Sequence, residues 1–115
     1  LTPKGLRTLS PMHLKYKGVY RGNAQERDEA YHQGSVVSWF SGHYAEAYLK
    51  VYKTGGFQVI KNLYKGFEPD IQNYGIGTMP EIYDGDPPHN PAGATSMAVA
   101  VAELLRINEM LNKFE

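Results

Sequence analysis

The sequence predicts an all-α fold in which three main helices alternate with long functional loops. Apolar residues recur at helical spacing in three segments, and the chain between those segments is rich in glycine and proline. The first helical segment is apolar around more than one face, so we expect it to pack against neighbours on two sides. Three helices with so much loop supply few neighbours, and we interpret the chain as a fragment of a layered or toroidal array of helices.

Residues 1–34 are expected to be mainly loop. They carry prolines and glycines and show no sustained apolar period, with residues 6–9 at most a short strand. Basic residues outnumber acidic ones before Gln25. This excess is most simply a solvated loop rather than a polyanion site, because no nucleic-acid motif accompanies it. We therefore expect no nucleic-acid partner.

Residues 35–115 are expected to hold the helices and one long rim loop. The first helix spans residues 35–52 and stops at the Thr-Gly-Gly turn of residues 54–56. The second begins at residue 57 and weakens near residue 67, where a glycine and a proline follow each other closely. Two helices joined by so short a turn form an antiparallel hairpin.

The stretch from residue 73 to residue 91 predicts a long loop before the last helix. Its glycines and prolines are too frequent for a helix or a central strand to persist. The third helix starts near Gly93 and continues to Leu111. Small residues fill its first half, which allows a neighbouring backbone to approach closely, and its second half is amphipathic.

Two dense polar blocks stand just ahead of helical segments. Residues 79–89 contain Glu81, and residues 25–34 contain a set of hydrogen-bonding side chains: Arg27, Asp28, Tyr31, His32 and Gln33. Helical scaffolds place their chemistry on the loops at one end. Because both blocks precede helices that would run in the same direction, we expect His32 and Glu81 to lie at the same end, on one rim.

Composition argues against several classes of site and partner. The 12 acidic and 12 basic residues cancel, so the net charge points to neither a nucleic acid nor a membrane surface. No apolar run approaches the roughly 20 residues of a membrane span, and there is no cysteine for a disulfide. The run from Asp84 to Asp86 lacks the further carboxylates of a calcium loop, so a tight turn is the preferred interpretation. We expect no metal and no cofactor, and the start at Leu1 suggests a piece of something longer.

Several blocks of the sequence, taken together and in order, carry a family resemblance. They are Gly5-Leu6-Arg7-Thr8-Leu9-Ser10-Pro11, Tyr16-Lys17-Gly18, Glu26-Arg27-Asp28-Glu29-Ala30-Tyr31-His32-Gln33-Gly34, Pro80-Glu81-Ile82-Tyr83-Asp84-Gly85-Asp86-Pro87-Pro88-His89, and residues 98–106. The chain resembles the C-terminal part of microbial glycogen debranching enzymes, specifically their amylo-α-1,6-glucosidase domain. That domain is a double ring of helices called an (α/α)6 barrel. The resemblance implies that residues 1–115 are a partial C-terminal segment of such a barrel.

The same resemblance implies a cytoplasmic glycoside hydrolase that cleaves α-1,6-glucosidic branches of glycogen-like glucans by inversion. Glu81 would be the general base that activates water, residues 31–34 would line the glucose-binding end, and Arg27 and Asp28 would shape the same rim. The family's general acid lies upstream of the region covered here. The fragment alone is therefore expected to be inactive, and its partners are a glucan or other α-glucoside and either the remainder of the barrel or a second copy.

Other interpretations of these residues stay open. Glu81 could be a turn residue or a helix-cap acceptor, and His32 could tie a loop to a helix instead of contacting sugar. Trp39 could offer an aromatic surface to a sugar, although its place on the helical stripe favours the core. Val37 stands where the family usually has tryptophan, and Met97 and Val99 stand where it usually has glutamine and tryptophan. The alternative function is a non-catalytic carbohydrate-binding or structural relic of the same fold.

Overall fold

The computed structural model describes residues 1–114 and is mostly helical, with a small antiparallel sheet. The helices are α1 (Ala24–His32), α2 (Phe40–Tyr52), α3 (Phe57–Lys65), α4 (Glu68–Asn73) and α5 (Ala98–Asn112), and the strands are β1 (Val36–Val37), β2 (Ile82–Tyr83) and β3 (Pro91–Ala92). A 3-10 turn, Lys53–Gly56, joins α2 to α3. The prediction of an all-α fold is therefore right about the helices and wrong in omitting the sheet. Within residues 1–114, every helix is too short or too polar to cross a bilayer.

The expectation that residues 1–34 are mainly loop leaves out helix α1. It begins with a reciprocal cap, in which the Asn23 side chain accepts from the Glu26 backbone N–H at 2.9 Å and Glu26 accepts from the Asn23 N–H at 2.8 Å. Only Ala30 is buried along it. A helix so exposed leaves no apolar period in the sequence, and the capping box was the available signal.

Strand β1 occupies residues that the sequence assigned to the first helix. Val36 pairs with Tyr83 and Val37 pairs with Ile82, so the helix starts at Phe40 instead of residue 35. Two consecutive β-branched residues, both buried, suit a strand covered on both faces. Apolar spacing alone could not separate this short run from a helical turn.

Strand β2 lies at the centre of the sheet, whose order is β1-β2-β3. It pairs with β3 through Ile82 with Ala92 and Tyr83 with Pro91. The expectation that no central strand could form between residues 73 and 91 is therefore wrong. Strand β2 spans only Ile82–Tyr83, which is short enough to fit between the prolines and glycines.

Helix α5 starts later than expected, at Ala98 rather than near Gly93, because β3 and an extended residue, Met97, precede it. The Met97 N–H donates to the Met79 carbonyl at 2.9 Å, which ties the start of α5 to the chain just before Glu81. The end of α5, at Asn112, agrees with the predicted end of the amphipathic pattern.

Helices α2 and α5 pack side by side and run in the same direction. Glu46 lies 2.7 Å from Arg106, and one turn further along, Leu49 shares a buried cluster with Leu111. Helix α3 runs the opposite way, because Phe57 at its start contacts Phe114 beyond the end of α5. The predicted antiparallel hairpin of α2 and α3 is confirmed. Since β1 leads towards α2 and β3 towards α5, the sheet lies at the end where both helices begin.

Candidate functional site

Glu81 holds its carboxylate between two hydrogen-bond donors. The Tyr31 hydroxyl donates to Oε1 at 2.7 Å, and the Ala94 backbone N–H donates to Oε2 at 2.9 Å. The Glu81 N–H in turn donates to the Ala94 carbonyl at 2.9 Å. Glu81, which directly precedes β2, is thus tied through its main chain and its side chain to the segment that follows β3.

The backbone at Gly93 makes room for this carboxylate. Gly93 has φ of +71°, and a Cβ atom there would lie 2.8 Å from Glu81 Oε2. Only glycine adopts this conformation without strain and also lets the chain pass so close to the carboxylate. Gly93 is therefore the residue that brings the Ala94 N–H within reach of Glu81.

A buried hydroxyl fixes the main chain at Glu81. Ser38, between β1 and α2, places its Oγ 2.8 Å from the carbonyl oxygens of both Pro80 and Glu81, and its N–H donates to the Glu81 carbonyl at 3.3 Å. Because Ser38 is buried, these bonds are shielded from water. The start of α2 and the loop carrying Glu81 thus form one connected unit.

Tyr31 remains a neutral donor at physiological pH. Its hydrogen bond to the Glu81 carboxylate, together with its partial burial and the Glu81 charge, raises the pKa of the Tyr31 phenol to about 12. An ionised phenol beside a carboxylate would place two negative charges together without a shared proton, and this favours the protonated form. The hydroxyl therefore keeps its proton, and with it the bond to Glu81.

Two open grooves meet at Tyr31 and His32. The first, of about 330 Å³, is polar and is lined by Tyr20, Ala24, Arg27, Asp28, Tyr31 and His32. The second, of about 530 Å³, borders Tyr31, His32, Arg7, Val37, Trp39 and Phe40. Charged groups thus dominate the first groove, whereas the second combines Arg7 with aromatic and aliphatic side chains.

Asp28 and His32 stand one turn apart on α1 and face solvent. Asp28 Oδ1 lies 3.6 Å from His32 Nε2, and their side chains are 77% and 66% exposed. The His32 ring sits edge-on to Tyr31, with 5.2 Å between ring centroids. His32 is open to a ligand entering either groove, and its neighbour Tyr31 makes the direct contact with Glu81. The two polar blocks therefore meet at one site.

Trp39 and Gln33 occupy different surroundings from each other. Trp39 precedes α2 and is partly exposed, with its ring against Phe40 at 4.5 Å and His43 at 5.6 Å between centroids. It forms a wall of the second groove instead of lying on the buried stripe of the helix.

Gln33 follows α1, where its carbonyl accepts from the Lys17 N–H at 2.7 Å, and it lines neither groove.

Sequence reasoning missed the part played by the segment around Tyr16 and Tyr20. The Asp84 carboxylate accepts from the Tyr20 N–H at 2.8 Å, and the Asp86 carboxylate accepts from the Tyr16 hydroxyl at 2.9 Å. The bond to Asp84 holds Tyr20 in the wall of the polar groove. Both bonds join residues more than 60 positions apart, so local sequence held no signal for them.

The two aspartates that had been weighed as calcium ligands thus bind protein donors. The Asp86 carbonyl also accepts from the His89 N–H at 2.9 Å, which closes a tight turn. Across residues 1–114, no three His, Cys, Asp or Glu side chains converge in a way that could hold a metal ion.

The three positions at which the resemblance implies a different residue lie in distinct places. Val37 is buried in β1 and borders the second groove. Met97 packs against the core beside the start of α5, and Val99, within the first turn of α5, is half exposed. Of these three residues, Val37 is the one that borders a groove.

Comparison with known proteins gives one family match. The sequence model of a family described as amylo-alpha-1,6-glucosidase matches residues 1–106 of the 115-residue chain. No curated protein and no solved structure matches the chain at a significant level. The matched range includes both polar blocks, both grooves and the first turns of α5.

Proposed function

This chain belongs to the amylo-alpha-1,6-glucosidase family, and we propose that it supplies the general base of a glycoside hydrolase acting on α-1,6-linked glucose. In this proposal Glu81 takes a proton from the water that attacks the anomeric carbon, and the reaction inverts the configuration of that carbon. The substrate is a branch point of a glycogen-like glucan. The general acid comes from a part of the protein outside these residues.

The observation that carries the proposal is the setting of the Glu81 carboxylate. It is held by Ala94 and by Tyr31, and Tyr31 in turn lines both open grooves. An ionised carboxylate offers about four lone-pair sites, so two donors leave sites free for a water molecule. A fixed carboxylate with spare acceptor capacity is what a general base requires.

The grooves fit the chemistry of a sugar. Arg27 and His32 offer donors and Asp28 offers an acceptor in the polar groove, where hydroxyl groups need both. Trp39 offers an aromatic surface in the second groove, which suits the apolar face of a glucose ring. We propose that these residues form the glucose-binding rim.

Inversion requires a second carboxyl group on the opposite face of the sugar, about 6.5 to 9.5 Å from the base. We propose that an upstream segment of an (α/α)6 barrel supplies it. The parallel packing of α2 and α5, with α3 antiparallel between them in sequence, supports a ring in which successive helices alternate in direction. In such a ring the loops at one end face each other.

The test is Glu81→Gln in the full-length protein that carries the upstream acid. The amide keeps the size of the carboxylate but cannot accept the water proton, so glucose release from an α-1,6-branched oligosaccharide should fall about 10²- to 10⁴-fold. Oligosaccharide binding should survive better than turnover, because the lost interaction acts mainly in the transition state.

Glu68→Gln, an exposed carboxylate on α4, is the matched control and should keep wild-type turnover. Turnover near wild type in Glu81→Gln would refute the assignment. A large drop in melting temperature would instead show that Glu81 serves the architecture.

A second candidate is a non-catalytic carbohydrate-binding member of the family. Val37, in the wall of the second groove where the family usually has tryptophan, favours this candidate, because an aliphatic side chain offers a sugar less stacking surface. The wild-type protein would then bind the branched oligosaccharide without releasing glucose. Measuring binding and release on the same sample separates the two candidates.

A further inference from the structure

The Glu81 side chain is held by two donors that differ in kind. Ala94 donates through its main chain, which Gly93 and β3 fix in place. Tyr31 donates through a side chain from α1, 50 residues away in sequence. A glutamate has three side-chain torsions and would otherwise sample several orientations. Without the Tyr31 hydroxyl, the hydrogen bond from Ala94 remains, and the planar carboxylate can turn about it.

The main chain next to Tyr31 is anchored. Its neighbour Ala30 is buried, and the Ala30 carbonyl accepts from the Ser35 N–H at 3.0 Å. The Tyr31 ring also contacts His32 edge-on. The phenol therefore reaches Glu81 from a helix whose end is tied to the core.

We propose that Tyr31 is a positioning residue for the general base: its hydroxyl holds Glu81 in the orientation from which the carboxylate accepts the water proton. The inference rests on the proposed function of Glu81. It differs from the sequence-based expectation that Tyr31 contacts glucose, because the hydroxyl proton is already donated to Glu81. The raised pKa of the phenol, about 12, keeps that proton in place through the neutral range.

The decisive variant is Tyr31→Phe in the full-length protein, assayed with an α-1,6-branched oligosaccharide. Loss of positioning should lower kcat by up to about 10²-fold, because a displacement of about 1 Å in a reacting group costs that much. KM should change less than about twofold, since the bond acts on the base and not on bound sugar.

Tyr16→Phe is the matched control. Tyr16 also donates to a carboxylate, that of Asp86, at 2.9 Å, but it lines neither groove. Both variants lose a tyrosine hydroxyl that donates to a carboxylate, so a general effect of removing such a hydroxyl would appear in both. We expect Tyr16→Phe to keep the kcat and the KM of the wild-type protein.

The outcomes separate the inference from the function on which it rests. Undiminished turnover in Glu81→Gln would overturn the proposed function. Loss of turnover in Glu81→Gln with an unchanged kcat in Tyr31→Phe would overturn the positioning role alone. A raised KM at constant kcat would also overturn it and assign Tyr31 to substrate contact.

Substitutions that keep the shape of the ring cover the case in which Tyr31→Phe fails to fold. 4-Methylphenylalanine incorporated at position 31 fills the place of the hydroxyl without a donor, so kcat should fall. 4-Aminophenylalanine at the same position keeps an N–H donor to Glu81, so its kcat should stay closer to wild type. Equal kcat in these two variants would overturn the inference.

Discussion

Arg106 on α5 lies 2.7 Å from Glu46 on α2 and joins the two parallel helices through an ion pair. The same guanidinium contacts Glu103 at 2.9 Å, and Lys50 contacts the other oxygen of Glu46 at 2.9 Å. Glu46 is thus shared by two cations. The pair lies beside the buried contacts of Ala45 and Leu49 with Ile107 and Leu111, which set the register of α2 against α5.

Replacing Glu46 with glutamine should reduce the acid sensitivity of the fold. Hydrogen bonds from Arg106 and Lys50 lower the pKa of Glu46 from its ordinary 4.5 to about 2. The folded-state pKa lies below the unfolded one, so this stabilisation is full above about pH 4.5 and is lost as the pH falls towards 2. We expect Glu46→Gln to melt slightly below wild type at pH 7, and the two melting temperatures should converge on acidification.

Glu109→Gln is the control for this experiment, because Glu109 is an exposed carboxylate on α5 outside the Arg106 network. The difference between its melting temperature and that of wild type should stay the same over this pH range. The pair is partly exposed, so the gap at pH 7 should be small. A gap in Glu46→Gln that is constant from pH 7 to pH 2 would contradict the expectation.

Asp70→Asn should destabilise the packing beneath the sheet. Asp70 Oδ2 accepts from the buried Tyr83 hydroxyl at 2.9 Å and lies 2.6 Å from Lys4 Nζ. Burial, then the Asp70 charge, raises the pKa of Tyr83, so the hydroxyl keeps its proton and donates. Hydrogen bonds to charged groups contribute about 1.5 to 3 kcal/mol each, and we expect a loss of that order in denaturant unfolding.

A double-mutant cycle with Tyr83→Phe isolates this bond. If the hydroxyl and the carboxylate act together, the double variant should be less destabilised than the sum of the two single variants. Strict additivity of the two free energies of unfolding would show that Asp70 acts through Lys4 alone.

Residues 1–115 produced alone should associate with themselves or melt without a sharp transition. Val51 at the end of α2 is 70% exposed, and Leu105 on the outer side of α5 is 64% exposed. Exposed apolar patches drive association. Sedimentation at increasing concentration should show a rising mean mass, and Leu105→Lys should reduce it. A monodisperse monomer with a cooperative melt would contradict the expectation that these helices need further neighbours.

Sequence periodicity located α2, α3 and the second half of α5, because each buries an apolar stripe that leaves a helical repeat. It failed where no stripe exists. Helix α1 buries only Ala30 and is defined by its cap, and β1 consists of two buried valines that fit a helix and a strand equally well. The short strands depend on pairing between distant residues, and no local pattern encodes that pairing.

The candidate site could be predicted in its composition but not in its contacts. The density of polar side chains around Tyr31 and Glu81 singled out both blocks. The bond between them joins residues 50 positions apart. The second bond to the carboxylate, from Ala94, depends on Gly93, which the sequence pattern places at the start of a helix. The link from Tyr20 to Asp84 was hidden for the same reason.

Gly93→Ala should impair the site more than a comparable change elsewhere. Gly93 and Gly77 both have positive φ, +71° and +82°, so alanine at either position incurs a conformational cost of about 1–2 kcal/mol. A Cβ at Gly77 meets open space, whereas at Gly93 it would lie 2.8 Å from Glu81 Oε2. We therefore expect Gly77→Ala to lose stability but keep turnover. Gly93→Ala should lose both, with glucose release by the full-length protein reduced by up to about 10²-fold, because the carboxylate is displaced. Equal turnover in the two variants would show that Glu81 can move away from Ala94 without functional consequence.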